Sequence, residues 1–412
     1  MQQKLMEESR TSLGVSPPFD PEFLDGLMEV AGLDVLIVTS RHNVQYMLGG
    51  YRFFMFDYMD AIGLSRYLPI FVYHRGHPAE SAYIGNTHEA FEQELGRFWV
   101  ANVQATSRTS ADAMQLCIEH LRRIGLPSRR IGIEAGFLPA DAYLVLRDAT
   151  EGSEIVDAVV TLERLRAVKT QAELALLRHA SESVVDAMLT VFSELRPGRT
   201  KSNVVEALRR EETTRGLMFE YCLLTAGRSF NRAPSDQVLR DGDIMSLDSG
   251  GNYRGYIGDH CRMGILGEPD AELDDLLGQI EEVQQAARKP LLAGAIGGDI
   301  YAAVEPFLAR LTAGKASFVA HGMGLISHEA PRLTADSPWP YSAYDRERPL
   351  AAGMVISIET TLQHPSRGYI KLEDTLAITA SGYEAFGDRG RGWNRAAIAG
   401  QRKSGQGEQR TG

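Results

Sequence analysis

Residues 245–263 read "MSLDSGGNYRGYIGDHCRM", and the two carboxylates in that stretch, Asp248 and Asp259, decide how the chain is read. Met245 and Leu247 alternate with Ser246 and Asp248, a period of two with one apolar face, which predicts a strand. Gly250-Gly251-Asn252-Tyr253-Arg254-Gly255 has the residues that close a hairpin. A turn centred between Tyr253 and Arg254 sets Asp248 directly opposite Asp259. Directly opposed residues hold their Cβ atoms roughly 4.5–5.5 Å apart, where like charges destabilise the pair. A cation between them would remove that repulsion.

The same residue types recur downstream. "FVAHGMGLISHEAP" places His321 and His328 around two glycines. In "MVISIETTL", Glu359 alternates with Ser357 and Val355, opposite Ile356 and Ile358. In "YIKLEDTLAIT", Glu373 shares a face with Lys371 and Thr375, opposite Ile370 and Leu372. A carboxylate inside an apolar strand is costly to bury unless it is paired or coordinated. Three β-segments with such carboxylates, placed side by side, build one acidic pocket.

Outward from this centre the chain changes character near residue 165. Before it, short elements alternate: a buried strand "LDVLIVTS" (33–40), a hairpin over 67–85, and a helix beginning "ADAMQLC" with Ser110 as N-cap. A strand at 130–135, a helix after Pro139 and a strand at 154–159 complete a small α/β domain, assigned to residues 1–163. The second domain, 164–396, is read as α+β. It opens with a capping box at Thr170 and Glu173, and Leu174, Leu177, Val184, Met188 and Val191 follow at helical spacing. Helices at 270–292 and 298–313 separate its strands, and the tail 397–412 is low-complexity and expected to be disordered.

Composition narrows the partners. A net charge of −11 argues against nucleic acid, whose phosphates call for a basic surface. No apolar run approaches a membrane span, and "MQQKLMEESR" has no apolar core, so neither a membrane nor a signal peptide is expected. Three cysteines without a CxxC spacing fit a reducing, cytoplasmic setting.

With these motifs in hand, the chain resembles the pita-bread metallohydrolases, the family of aminopeptidase P, prolidase, methionine aminopeptidase and the metal-free creatinase. The likeness runs from about residue 163 to 386 and rests on "DSGGNYRGYIGDHCRM", "HGMG", "SIET" and "LEDT". A smaller N-terminal α/β domain is also what creatinase and prolidase have. The resemblance implies a dinuclear centre with a bridging hydroxide, ligated by Asp248, Asp259, His321, Glu359 and Glu373. Asp259 and Glu373 would bridge the ions, with Asp248 on one and His321 and Glu359 on the other. Four carboxylates with one imidazole suit two divalent cations, Mn²⁺ first, with Co²⁺, Fe²⁺ or Zn²⁺ as alternatives. Glu359 would also act as general base, and His328 would donate to the developing oxyanion. Arg262 would steady carboxylates from behind, while Cys261 reads as a packed strand residue. The resemblance further implies a homodimer, in which Tyr51 and Arg52 of "GGYRFFMFDYMD" (49–60) are candidate substrate contacts.

Two departures bear on substrate. Seventeen residues before Asp248, where peptidases of the family have a histidine, stands Asn231, which donates a hydrogen bond but cannot trade a proton near neutral pH. The family's E-P-G is E-T-T at Glu359. The expected activity is metal-dependent hydrolysis of a C–N bond, in an Xaa-Pro-type peptide or a related small amide. The alternatives are a creatinase-like or lyase-type enzyme for a small nitrogenous or sulfonium compound, and a catalytically silent binding protein.

Overall fold

The structure is a computed structural model and describes residues 16–61, 63–335 and 341–396. The expected disordered tail from 397 and the "MQQKLMEESR" terminus lie outside the described residues. The chain divides into two compact units between Arg166 and Ala167.

In the first unit, strands β1 (Val35–Val38), β2 (Ile70–His74), β3 (Ala82–Asn86), β4 (Asn102–Ser107), β5 (Arg130–Ile133) and β6 (Glu154–Asp157) form one mixed sheet. Its order is β4-β3-β2-β1-β5-β6, with β1 parallel to β5 and antiparallel to β2. Helices α1 (Pro21–Ala31), α2 (Arg41–Met47), α3 (Ala90–Glu94), α4 (Ser110–Ile124), α5 (Ala140–Ala149) and α6 (Val159–Leu165) accompany it. The apolar run of β1 explains why both faces are covered. Leu36 and Val38 pack with Leu24, Met28 and Val44, whereas Val35 and Ile37 pack with Ile118, Leu121 and Leu146. A strand buried on both sides reads as continuous rather than alternating hydrophobicity. Two local expectations shift. The N-cap of α4 is Thr109, whose Oγ1 accepts from Asp112 N at 3.0 Å, while the expected cap, Ser110, is already helical and pairs with Asp141. The strand expected to run to 159 ends at Asp157, and α6 begins at Val159.

The second unit has helices α7 (Gln171–Ser193), α8 (Lys201–Thr214), α9 (Ala271–Arg288) and α10 (Asp299–Leu308). Its strands are β7 (Met218–Ala226), β8 (Ile244–Tyr253), β9 (Tyr256–Ile265), β10 (Lys315–Gly322), β11 (Val355–His364), β12 (Gly368–Thr379), β13 (Gly382–Phe386) and β14 (Asn394–Arg395). They make a sheet in the order β10-β11-β12-β9-β8-β7, with β13 beside β12 and β14 beside β9. Ile356, Ile358 and Leu376 pack with Val283, Ala286 and Ala287 of α9, so the alternate residues Ser357 and Glu359 turn to the other face. Helix α7 lies directly on β9. A Cβ on Gly258 would come within 2.5 Å of the Ser181 backbone, so only glycine admits this approach.

The hairpin of residues 245–263 has a different register from the one expected. Asp248 pairs with Cys261 and Gly250 with Asp259, because the two-residue turn is Arg254-Gly255. Both turn residues have positive φ, 53° and 99°, as a type I′ hairpin requires. The aspartates are therefore diagonal neighbours. The directly opposed like-charged pair lies two strands away, where Glu359 faces Glu373.

Candidate metal centre

Register explains why these side chains meet. Asp248 of β8 pairs with Cys261 of β9, Cys261 with Glu373 of β12, and Glu373 with Glu359 of β11. One row of four strands thus bears three carboxylates. On the neighbouring row Asp259 pairs with Gly250, and His321 of β10 pairs with Ser357, itself opposite Thr375. Period-two alternation sends both rows to the same face.

The structure brings Asp259, His321 and Glu373 together with one ligand atom from each within 4.8 Å of the others, and His321, His328 and Glu359 likewise. His321 Nδ1 approaches Gly322 O at 3.3 Å, which assigns the ring proton to Nδ1 and leaves the Nε2 lone pair facing acceptors. Those acceptors are Glu373 Oε1 at 3.5 Å and Glu359 Oε1 at 3.8 Å. His321 Nε2 and Asp259 Oδ1 are buried with no hydrogen-bond partner. Two orphaned donor atoms beside a carboxylate are what a cation would satisfy, so the residues fit a divalent ion.

His328 stacks on His321 with ring centroids 3.8 Å apart and planes 19° apart. The loop between them turns tightly. A Cβ on Gly322 would strike the Ala330 carbonyl at 2.2 Å, and one on Gly324 the Glu329 carboxylate at 2.1 Å. Glu329 is buried and receives Lys169 Nζ at 2.9 Å, which ties this loop to the segment before α7. Burial, with His321 beside it, pushes His328 down to about 2, so the ring is neutral.

Sequence reading did not give a role to Lys371. Its Nζ lies 2.6 Å from Asp248 Oδ2, 2.5 Å from Glu359 Oε2 and 2.8 Å from Glu373 Oε2. Burial would lower the ammonium, but Asp248, Glu359 and Glu373 together hold it well above the ordinary lysine range. Burial likewise would raise Glu373, and the Lys371 ammonium reverses this and holds the carboxyl well below its usual range. Asp259 goes the other way: burial, then the charges of Glu373 and Asp248, push it well up. Burial also raises Glu359, against the pull of Lys371. A signal for Lys371 existed, since it lies two residues before Glu373 on the same face of β12.

Asn231 is exposed, and its Oδ1 accepts from Ala233 N at 2.8 Å, closing its own turn. The next residue, Arg232, is the one that reaches the centre, pairing with Asp248 Oδ2 and lying over the Tyr369 ring. Arg262, expected to steady carboxylates, donates to the Glu373 main-chain oxygen at 2.7 Å and pairs with Asp374 at 3.1 Å. It fixes the backbone of Glu373 rather than its carboxylate. Cys261 is fully buried between Asp248 and Glu373 on their row. The two threonines after Glu359 are buried, and Thr360 Oγ1 donates to Gln284 Oε1 at 3.3 Å. Tyr51 and Arg52 are engaged within the first unit. Tyr51 OH donates to Glu89 Oε2 at 3.3 Å, and Arg52 pairs with Asp57.

Two family models match the chain: "Metallopeptidase family M24" over residues 175–380 and "Creatinase/Prolidase N-terminal domain" over 22–168. The uncharacterized peptidase YqhT of Bacillus subtilis is 24% identical over 368 residues, covering 88% of this chain and 95% of its own. An Xaa-Pro dipeptidase of Pyrococcus horikoshii is 23% identical over 338 residues, 79% of this chain and 91% of its own. Among solved structures, an Xaa-Pro dipeptidase from Bacillus anthracis superposes with a TM-score of 0.75 at 20% identity, over 92% of this chain and 99% of its own. Among the described residues, no helix is long and apolar enough to cross a membrane.

Proposed function

The chain belongs to metallopeptidase family M24, and from that premise we propose that it hydrolyses the C–N bond of a short Xaa-Pro-type peptide, or of a small amide of similar shape. The observation in support is the meeting of Asp259 Oδ1 and His321 Nε2, both buried and unpartnered, beside Glu373. Asp259, His321 and Glu373 would hold a divalent ion, and Glu359 and Asp248 complete the donor set that the resemblance implies. Manganese is the ion proposed first, before cobalt, iron(II) and zinc, because the donors are oxygen-rich with one imidazole. When bound, such an ion lowers the pKa of water and polarises a carbonyl group.

The chain's own groups supply the rest. Glu359 is the most accessible carboxylate of the set, with its side chain 15% exposed, and burial raises its carboxyl. It is placed to take a proton from the attacking water. His328, a neutral imidazole, donates through its ring N–H to the substrate oxygen as negative charge grows there. The departing nitrogen needs a proton, which Glu359 can return after taking it from the water; Asn231 and Arg232, in the loop before β8, add none, since neither gives one up near neutral pH. A positioned acid is worth about 10²–10⁴ in rate, so Xaa-Pro turnover should fall short of a histidine-bearing peptidase by about that factor. A cytoplasmic homodimer acting on a small molecule or short peptide is proposed with this activity.

The test is hydrolysis of a panel of Xaa-Pro dipeptides and small amides by protein loaded with Mn²⁺, before and after chelation. Cleavage that chelation abolishes and Mn²⁺ restores supports the reading. Metal-loaded protein that cleaves no member of the panel would overturn it.

A further inference from the structure

His328 has little that orients it directly. Among the described residues its Nδ1 is buried with no hydrogen-bond partner, and the ring rests on its stack with His321. Stacking fixes the plane of a ring but not where its N–H lies within that plane. The direction of this donor therefore depends on the backbone that bears it.

The next residue sets that backbone. Glu329 forms an antiparallel bridge with Gly322, its N donating to Gly322 O at 3.1 Å. Alternation across such a bridge sends His328 to the face of His321 and Glu329 to the other face. There the Glu329 side chain, 0% exposed, receives Lys169 Nζ at 2.9 Å, from a lysine side chain 1% exposed. Lys169 Nζ also donates to Ala167 O at 3.1 Å, and Lys169 N to Gly353 O at 2.9 Å. Gly353 stands just before β11, whose first residue, Val355, accepts Met323 N at 2.9 Å. One strand end thus holds both the lysine and the loop that the lysine grips.

Stability alone does not call for this pair. Desolvating two charges costs about as much as their attraction returns, and two well-packed apolar side chains would serve the fold as well. What the pair adds is direction, because it forms in one arrangement of the loop.

We infer that Lys169 is a positioning residue: through its buried pair with Glu329 it sets the backbone of His328, so that the imidazole N–H points to where charge grows on the substrate oxygen. The inference rests on the role given to His328 above.

The double variant Lys169→Met with Glu329→Met loses both charges together and keeps side chains of similar length, so it should fold and melt near the wild type. In Mn²⁺-loaded protein, with the best substrate of the panel, its kcat should fall about 10²-fold, the cost of a misplacement of about 1 Å, with KM little changed. In a His328→Ala background the same two substitutions should cost nothing further, because the donor they aim is already gone. Bound metal, read by elemental analysis after dialysis, should stay the same in every variant. A reading without substrate comes from carbon-13 NMR of the histidine rings, with the His328 signal assigned by its loss in His328→Ala. The double variant should shift or split that signal and leave those of His42 and His74, in the first unit, in place. A folded double variant with wild-type kcat, a loss equal in the two backgrounds, or a loss of metal alongside activity would overturn the inference. If the double variant does not fold, Glu329→Gln decides. It keeps the shape and weakens the grip, so kcat should fall about tenfold, one hydrogen bond's worth, and an unchanged kcat counts against the inference. A panel in which metal-loaded wild type cleaves nothing sinks the metal-dependent reading itself. The His328 signal then decides alone whether the pair holds the ring.

Discussion

His321 and His328 lie 3.8 Å apart, ring on ring, yet their surroundings fit them for different work. His321 turns Nε2 toward Glu373 and Glu359, whereas His328 stands outside the buried Asp259–His321–Glu373 cluster and is held neutral by burial. Substitutions should separate them. Asp259→Asn, which leaves an amide where a charged ligand is needed, should abolish bound metal and lower the melting temperature, because bound metal stabilises the native state by mass action. His328→Ala should keep its metal and melting temperature while kcat falls about 10²–10³-fold, the usual loss for one oxyanion donor. A His328→Ala variant that loses metal would instead make His328 a ligand. At this scale the buried carboxylates were legible in the sequence, since a carboxylate set into an apolar strand must be paired or coordinated once that strand is buried. The countercharges were less so. Lys371 shares the face of Glu373 and was within reach of the same period-two reasoning, but Arg232 reaches Asp248 from a loop whose path no periodicity reports.

Glu212 on α8 shows how an element can bear an ionisable group away from the chemistry. It is fully buried against the sheet, and Ser249 Oγ lies 2.9 Å from its Oε1 and 2.7 Å from Tyr221 O. A hydroxyl has one proton, so if Ser249 donates to Tyr221 O, a protonated Glu212 can complete the chain by donating to Ser249. Burial raises this carboxyl to about 8, with Ser249 opposing the shift. An unfolded glutamate titrates near ~4.3, so the folded chain binds this proton more tightly. The stability so gained is complete below about pH 4 and is lost as pH rises through about 8. Glu212→Gln, which donates at any pH, should therefore stabilise the protein at pH 8–9 by about 1–3 kcal/mol and change little at pH 5. Denaturant melts at both pH values check this, and equal effects at both would refute it. Elements were legible where the pattern was strong, as in the helical period of α7 and the unbroken apolar run of β1. The hairpin register was not, because a shift of two residues preserves every side chain's face. Only the need for positive φ at Arg254 and Gly255 selects the observed pairing, and that requirement is weak for an arginine read in isolation.

At the scale of the whole molecule, the two units differ in what they leave exposed. The first unit shows Phe54, Tyr58 and Leu64 to solvent at 65, 62 and 96%, within eleven residues of chain. Their neighbours Phe53 and Phe56 are buried in its core, so Phe54 and Tyr58 are held on an anchored stretch with their rings facing outward. Single exposed apolar residues are ordinary, but several large ones on one anchored segment mark a surface that associates. This supports the homodimer proposed above. Each chain has a net charge of −11, so two copies repel at long range. Salt shortens that repulsion, with a screening length of about 30 Å at 0.01 M and about 8 Å at 0.15 M, and leaves apolar contact in place. A dimer built on these side chains should accordingly tighten, not loosen, between those two salt concentrations, the reverse of an interface held by ion pairs. Light scattering at micromolar protein should show the dimer at 0.15 M salt. Phe54→Ser with Tyr58→Ser should shift it to monomer without changing the metal bound by the second unit. A wild type that stays monomeric across this range, or a dimer indifferent to both substitutions, would place the association elsewhere or nowhere.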